Sequence, residues 1–270
     1  MAATMNNLQA SLEKLKQLLN DLPEDPDVEE VHRLRTQARR VESLLKATEI
    51  GPRKRLLHAI TPIRKAAGAV RDADVFIACA ATLAEEGRDD SLTRLLERLN
   101  EMRLKHVRKL LAEVEEQRKE LRKRIKRYSA WIEQHEAEGE TPVEAHAAAG
   151  ARQLTKELAH WPPLTPENLH TFRIRVKALR YVLQLDEASN RRLIRALGRV
   201  KDAIGEWHDW QELSATAERI LGKSGVTLRQ RIDAETADAQ KHALTTAQTM
   251  RKRYLRHTPT SARQAEVAVL

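Results

Sequence analysis

Aromatic residues are scarce: two Phe, three Tyr and four Trp among 270 residues, or 3%. Proteins that bind single-stranded nucleic acid without sequence preference stack bases on aromatic faces. A chain this poor in rings is better suited to phosphates than to bases. Cysteine is almost absent too. Cys79 stands alone, which excludes a disulfide framework within the chain and fits a reducing compartment. No stretch approaches the roughly 20 apolar residues needed to span a bilayer. Met1 to Lys16 lacks the apolar core of a signal peptide. These absences lead to the expectation of a soluble, cytoplasmic protein. Sustained two-residue alternation with β-branched enrichment is also missing, so no sheet is expected.

Positive charge is plentiful. Lys and Arg outnumber Asp and Glu 48 to 39, and the pI is about 9.8. That balance favours anionic partners such as nucleic acid, phosphate polymers or anionic membranes. The arrangement of the charge is more specific than its amount. His32-Arg33-Leu34-Arg35-Thr36-Gln37-Ala38-Arg39 is followed, 36 positions after its histidine, by Gly68-Ala69-Val70-Arg71-Asp72. His170-Thr171-Phe172-Arg173-Ile174-Arg175-Val176-Lys177 is followed, 35 positions after its histidine, by Gly205-Glu206-Trp207-His208-Asp209. The two histidines lie 138 positions apart, about half the chain.

Glycine and proline, nine each, punctuate the chain. Asp25-Pro26 and Thr165-Pro166 predict an N-cap followed by proline at the first helical position. Thr141-Pro142-Val143-Glu144 has the form of a capping box. Gly51, Gly87, Gly139 and Gly222 are candidate helix ends. The spacing predicts helices near 6–20, 26–49, 52–86 and 91–136, then near 142–160, 166–187, 190–222 and 227–257. The class is all-α: two four-helix bundles related by pseudo-two-fold symmetry, covering 1–138 and 139–258, with 259–270 a disordered tail. Pro62 should kink or split the third helix. The segment 91–136 is long enough to be expected to break.

At 100° per residue, His32, Arg35 and Arg39 fall within about 60° of one another. Leu34, Ala38, Val41 and Leu45 lie opposite. His170, Arg173 and Lys177 form the same stripe against Phe172, Val176, Leu179 and Leu183. A mixed-sign face would be stabilised by pairs four residues apart. An all-basic stripe repels itself, and an anion would relieve it. On the partner helices Arg64, Gly68, Arg71 and Asp72 correspond to Lys201, Gly205, His208 and Asp209. Glycine within a helix costs about 0.8–1 kcal/mol relative to alanine. Its recurrence points to close helix–helix approach, and the aspartates are placed to hold the arginines in position.

HRLRTQARR with AGAVRDADV, and HTFRIRVKALRY with IGEWHDW, resemble the conserved histidine α-helical domain, or CHAD, family. The resemblance covers about residues 6–257 and occurs in both halves. It implies two helical bundles with pseudo-two-fold symmetry about a basic cavity that binds inorganic polyphosphate. It also implies association with polyphosphate granules. Carried over to matching positions, it marks His32, Arg35, Arg39, Arg40, Arg71 and Asp72, then His170, Arg173, Lys177, Arg180, Tyr181 and Asp209. The full expected polyphosphate-binding set adds Arg64, Lys201 and His208, with Gly68, Asp72, Gly205, Asp209 and Tyr181 in support. Three positions depart from the family pattern. Glu42 stands where a further basic residue is common, Ala67 where leucine is favoured, and His208 where the second Arg-Asp pair has arginine. Many members also carry a triphosphate-tunnel catalytic domain, and none is expected in these 270 residues.

Other patterns have plainer explanations. His208-Asp209 suggests a metal phosphohydrolase, but such a site needs further converging ligands that the pattern does not supply. No nucleophile with a partner base is evident, so neither enzymatic activity nor a cofactor or metal is expected. The run Arg118, Lys119, Arg122, Lys123, Arg124, Lys126, Arg127 is balanced by Glu113, Glu115, Glu116 and Glu120 and reads as a solvated face. It could instead line the cavity, as could Arg251, Lys252 and Arg253 from the other half. Trp131, Trp161, Trp207 and Trp210 are expected to pack. The reading is a polyphosphate-binding module. The rival is a helical protein that binds a nucleic-acid backbone, and a helical scaffold whose charge only keeps it soluble is a third class.

Overall fold

The computed structural model describes residues 2–48, 52–84, 89–137, 143–184 and 190–255. All its regular structure is helical: α1 (Ala2–Asn20), α2 (Val28–Thr48), α3 (Arg53–Thr82), α4 (Asp90–Ala137), α5 (Val143–Ala159), α6 (Pro166–Leu183), α7 (Arg191–Leu221) and α8 (Val226–Met250). A short π-turn, Arg251–Leu255, ends the described chain where a continuous α-helix to 257 is expected. Among the described residues there is no strand.

Local chemistry sets the boundaries. Helix α6 begins as expected, with Thr165 at the cap and Pro166 in the first turn. The Thr165 N–H donates to Asn168 Oδ1 at 3.1 Å. Helix α2 starts two residues later than Asp25-Pro26 suggests, because Asp27 makes the better cap. The Glu30 N–H donates to Asp27 Oδ1 at 2.7 Å, and the Asp27 N–H donates back to Glu30 Oε2 at 2.8 Å. This is a reciprocal capping box. Gly222 closes α7 with φ of +55°, a conformation glycine adopts without steric cost. Gly51, Gly87, Gly139, Thr141-Pro142 and the tail after Thr258 lie outside the described residues.

Neither α3 nor α4 is split. Helix α3 runs through Pro62, and the Thr61 hydroxyl donates to the Leu57 carbonyl at 2.8 Å. Helix α4 is continuous over 48 residues, about 70 Å at 1.5 Å per residue. Tertiary packing supports that length where local propensity alone would not.

Helices α1 to α4 enclose one core, with Leu34, Ala38, Val41 and Leu45 of α2 fully buried in it. Helices α5 to α8 enclose a second, into which α6 contributes Leu169, Phe172, Val176 and Leu179, all fully buried. Burying each such side chain contributes roughly 1.5–3 kcal/mol. The second core also takes in the tip of the α3–α4 hairpin: Ala80, Leu83, Leu92, Leu95 and Leu99. The cores therefore do not separate at the chain midpoint. Along the same hairpin, Arg103 Nε donates to the buried Asp74 Oδ1 at 2.6 Å, and Arg103 Nη2 donates to the Pro26 carbonyl at 2.9 Å.

A candidate anion-binding groove between the halves

The apolar faces of α2 and α6 are buried in different cores, which leaves their basic stripes free. Both stripes turn toward the seam between the halves, where α2 packs against α5 and α6, and α3 packs against α7. There a groove of about 840 Å³ opens. His32 and Arg35 reach it from α2, Arg71 and Asp72 from α3, Arg173 from α6, and Lys201, Gly205 and Asp209 from α7.

The arginines are held by the helices opposite. Arg35 Nη2 is 3.8 Å from Asp72 Oδ1. Arg173 Nε donates to the Lys201 carbonyl at 3.1 Å. The glycines leave space for these guanidinium groups. A Cβ on Gly205 would stand 2.8 Å from Arg173 Nη2, and one on Gly68 would stand 3.8 Å from Arg35 Nε. The close approach expected at glycine is thus helix to arginine. A third pair of this kind, Arg180 over Gly198 at 3.7 Å, has no equivalent in the first half, where threonine precedes Pro62.

Like charges crowd this site. Burial pushes the Lys177 ammonium down to about 8, helped by Arg39, Arg173, Arg35 and Lys201. Two of these neighbours come from the first half and two from the second, so the stripes share one electrostatic field. Burial and neighbouring cations also lower Arg35 and Arg173, although a guanidinium stays charged. Loss of hydration pushes the Asp72 and Asp209 carboxyls up, against the pull of Arg35 and Arg173 respectively. Burial lowers His170, as does the nearby His208. The Cys79 thiol, in the groove wall, is pushed up to about 11 by burial and is a poor nucleophile at neutral pH.

Several expected residues stand elsewhere. Arg64 does not line the groove, because Glu42 holds its Nε at 2.8 Å. Arg40 is exposed outside the lining. Arg180 lies across Gly198, and Tyr181 next to it is also outside the lining. His170 and His208 pack ring against ring, centroids 5.4 Å apart, instead of entering the groove. Gly68 supports Arg35 from outside the lining. Arg39 and Lys177 act on the groove through charge. In the basic run, Arg118 faces Glu115, Arg124 pairs with Glu120 and Arg122 donates to Asn20, and none of them lines the groove. Arg251 is bonded to the carbonyls of Ala159, Trp161 and Pro162, whereas Arg253 does line the groove. Trp207 and Trp210 are buried in the second core, and Trp161 packs edge-on against Phe172.

Sequence reasoning missed Arg199, His242, Thr245, Thr246, Thr249 and Tyr254, all in the lining. The i, i+3, i+7 spacing of His242, Thr245 and Thr249 is a sequence signal for this wall, but it carries no basic stripe. Among the described residues, no group of three or more His, Cys, Asp or Glu side chains is placed to hold a metal ion. No described helix is long and apolar enough to cross a membrane.

Comparison with solved structures finds the same fold. The CHAD domain from the plant Ricinus communis matches with a TM-score of 0.71 at 18% identity, covering 93% of this chain and 91% of that one. PptA from Streptomyces chartreusis matches with a TM-score of 0.66 at 15% identity, covering 93% and 96%. No curated protein sequence matches. The CHAD domain family model matches residues 7–218, and the chain therefore belongs to the CHAD domain family.

Proposed function

We propose that this protein binds inorganic polyphosphate in the groove between its halves, and that it is a binding module and not an enzyme. The observation carrying the proposal is that Arg35 and Arg173, at matching positions of the duplicated motif, line one groove. Polyphosphate carries about one negative charge per phosphate and has no bases, so charge and donor geometry are what a site can recognise. Arginine forks offer paired donors to phosphate oxygens, and Lys177 adds positive potential. The scarcity of rings and the burial of Trp207 and Trp210 favour a polymer without bases over single-stranded nucleic acid. Association with polyphosphate granules in the cytoplasm follows as part of the same proposal.

Titration with polyphosphates of defined length, each competed against duplex DNA and single-stranded RNA, tests this reading. Polyphosphate is expected to displace nucleic acid at far lower charge concentration than the reverse. Equal competition per charge would favour the nucleic-acid reading, and no binding of any polymer would leave the charge a solubility device. Sedimentation with polyphosphate granules tests the localisation.

A further inference from the structure

The groove does not end at the motif stripes. It continues over α7 to α8 and the π-turn as one cavity. Its far wall has a regular pattern. His242, Thr245, Thr249 and Arg253 follow one another at i, i+3, i+7 and i+11, and the first three repeat the spacing of His32, Arg35 and Arg39. That spacing keeps His242, Thr245 and Thr249 on one face of α8, with Arg253 reaching the same cavity from the π-turn, while Ala243 and Ala247 face the core. Thr246 completes the wall, and Arg199 of α7 faces the same space. The α8 and π-turn residues of this wall lie beyond residue 218, where the family match ends, whereas Arg199 lies within it.

Its chemistry suits anionic oxygens. Threonine hydroxyls donate a hydrogen bond without adding charge. Arg199 and Arg253 are both exposed, and no salt bridge engages either among the described residues; Arg253 lies 5.6 Å from the centre of the Tyr254 ring. The π-turn that presents Arg253 is tied down by Arg251, which donates to carbonyls at the end of α5. π-helical segments are rare and often occur at functional sites. Four acids line the cavity: Asp72, Asp202, Glu206 and Asp209. Asp202 is neutralised by Lys201, and Glu206 opposes an anion.

We infer that the α7, α8 and π-turn wall is a second subsite, which holds the continuing phosphates of a long polyphosphate whose first segment lies between Arg35 and Arg173. The inference rests on the proposed polyphosphate binding. It makes Arg199 and Arg253 determinants of chain-length preference.

The test measures binding of tripolyphosphate and of a long-chain polyphosphate to the full chain and three variants. In Arg199→Gln/Arg253→Gln, long-chain affinity should fall at least tenfold while tripolyphosphate affinity changes less than twofold. The log–log salt slope for the long chain should become shallower by roughly 1.4–1.8, two contacts at about 0.7–0.9 each. Glu206→Gln should strengthen long-chain binding, an outcome that damage to the fold would not produce. Lys119→Gln/Lys123→Gln removes the same charge far from the groove and should change neither ligand. Equal losses for both ligands, no loss for either, or an equal loss in the distant control would overturn the subsite. If the unaltered protein bound tripolyphosphate and the long chain equally, the subsite alone would fall. If it bound neither, the polyphosphate reading would fall with it.

Discussion

Arg173 lies against Gly205 so closely that a single methyl group would meet its guanidinium at 2.8 Å, whereas the equivalent distance from Gly68 to Arg35 is 3.8 Å. The two pairs should therefore respond differently to alanine. Helix propensity favours alanine over glycine by about 0.8–1 kcal/mol at both sites. Gly68→Ala should raise the unfolding free energy by up to that amount and leave binding intact. Gly205→Ala should displace the Arg173 fork and weaken polyphosphate binding several-fold without lowering stability by more than about 1 kcal/mol, since the guanidinium end is flexible. Denaturant unfolding combined with titration checks both.

Charge should dominate affinity. Arg35→Ala/Arg173→Ala removes two cationic contacts, so binding should weaken and the log–log salt slope should become shallower by roughly 1.4–1.8. The fold should persist, because the buried faces of α2 and α6 are untouched. Isotherms at several salt concentrations decide. A folded variant with unchanged slope and affinity would remove these arginines from the site.

Lys177 gives the site a pH dependence. Its ammonium is pushed down to about 8 from the ordinary 10.5. Above pH 8 the folded protein loses a cation whose charge acts on the groove, so anion affinity should decline as pH rises. Bound polyphosphate favours the charged form and shifts that decline upward. Folding stability moves the other way. Between pH 8 and 10.5 the unfolded chain holds more protons than the folded one, so the Lys177 contribution to stability rises with pH. Lys177→Arg should flatten the affinity profile, as measured by titration from pH 7 to 10.

The Arg103–Asp74 pair should matter for stability. The Asp74 side chain is 1% exposed and the Arg103 side chain 15%. Asp74→Ala would leave the guanidinium without its carboxylate and should cost about 3–5 kcal/mol. Replacing both residues with apolar ones of similar size should cost much less. Thermal and denaturant unfolding of the single and double variants would separate these outcomes.

The helical class and the stripes were legible because periodicity alone determines which side of α2 or α6 is apolar. Leu34, Ala38, Val41, Phe172, Val176 and Leu179 are fully buried, as their spacing requires. The duplication anticipates one groove shared by the two halves, and of the six stripe residues His32, Arg35 and Arg173 line it. Other outcomes depended on partners far away in sequence. Arg64 was lost to Glu42 on a neighbouring helix, and His170 and His208 turned to each other. Helix α3 is not split at Pro62 and α4 is not broken, because packing along both cores outweighs the local cost. The α8 wall was missed because threonines on a helix face carry no charge to attract notice.

The hairpin formed by α3 and α4 has a mechanical consequence. With Leu83, Leu92, Leu95 and Leu99 embedded in the second core, the halves are riveted together beside the groove. Spreading them would tear those side chains out of their packing, at a cost of several kcal/mol. The groove is therefore a slot of set gauge and not a pair of jaws. A polymer must thread or settle into it, and selection falls on the ligand's thickness and flexibility as much as on its charge.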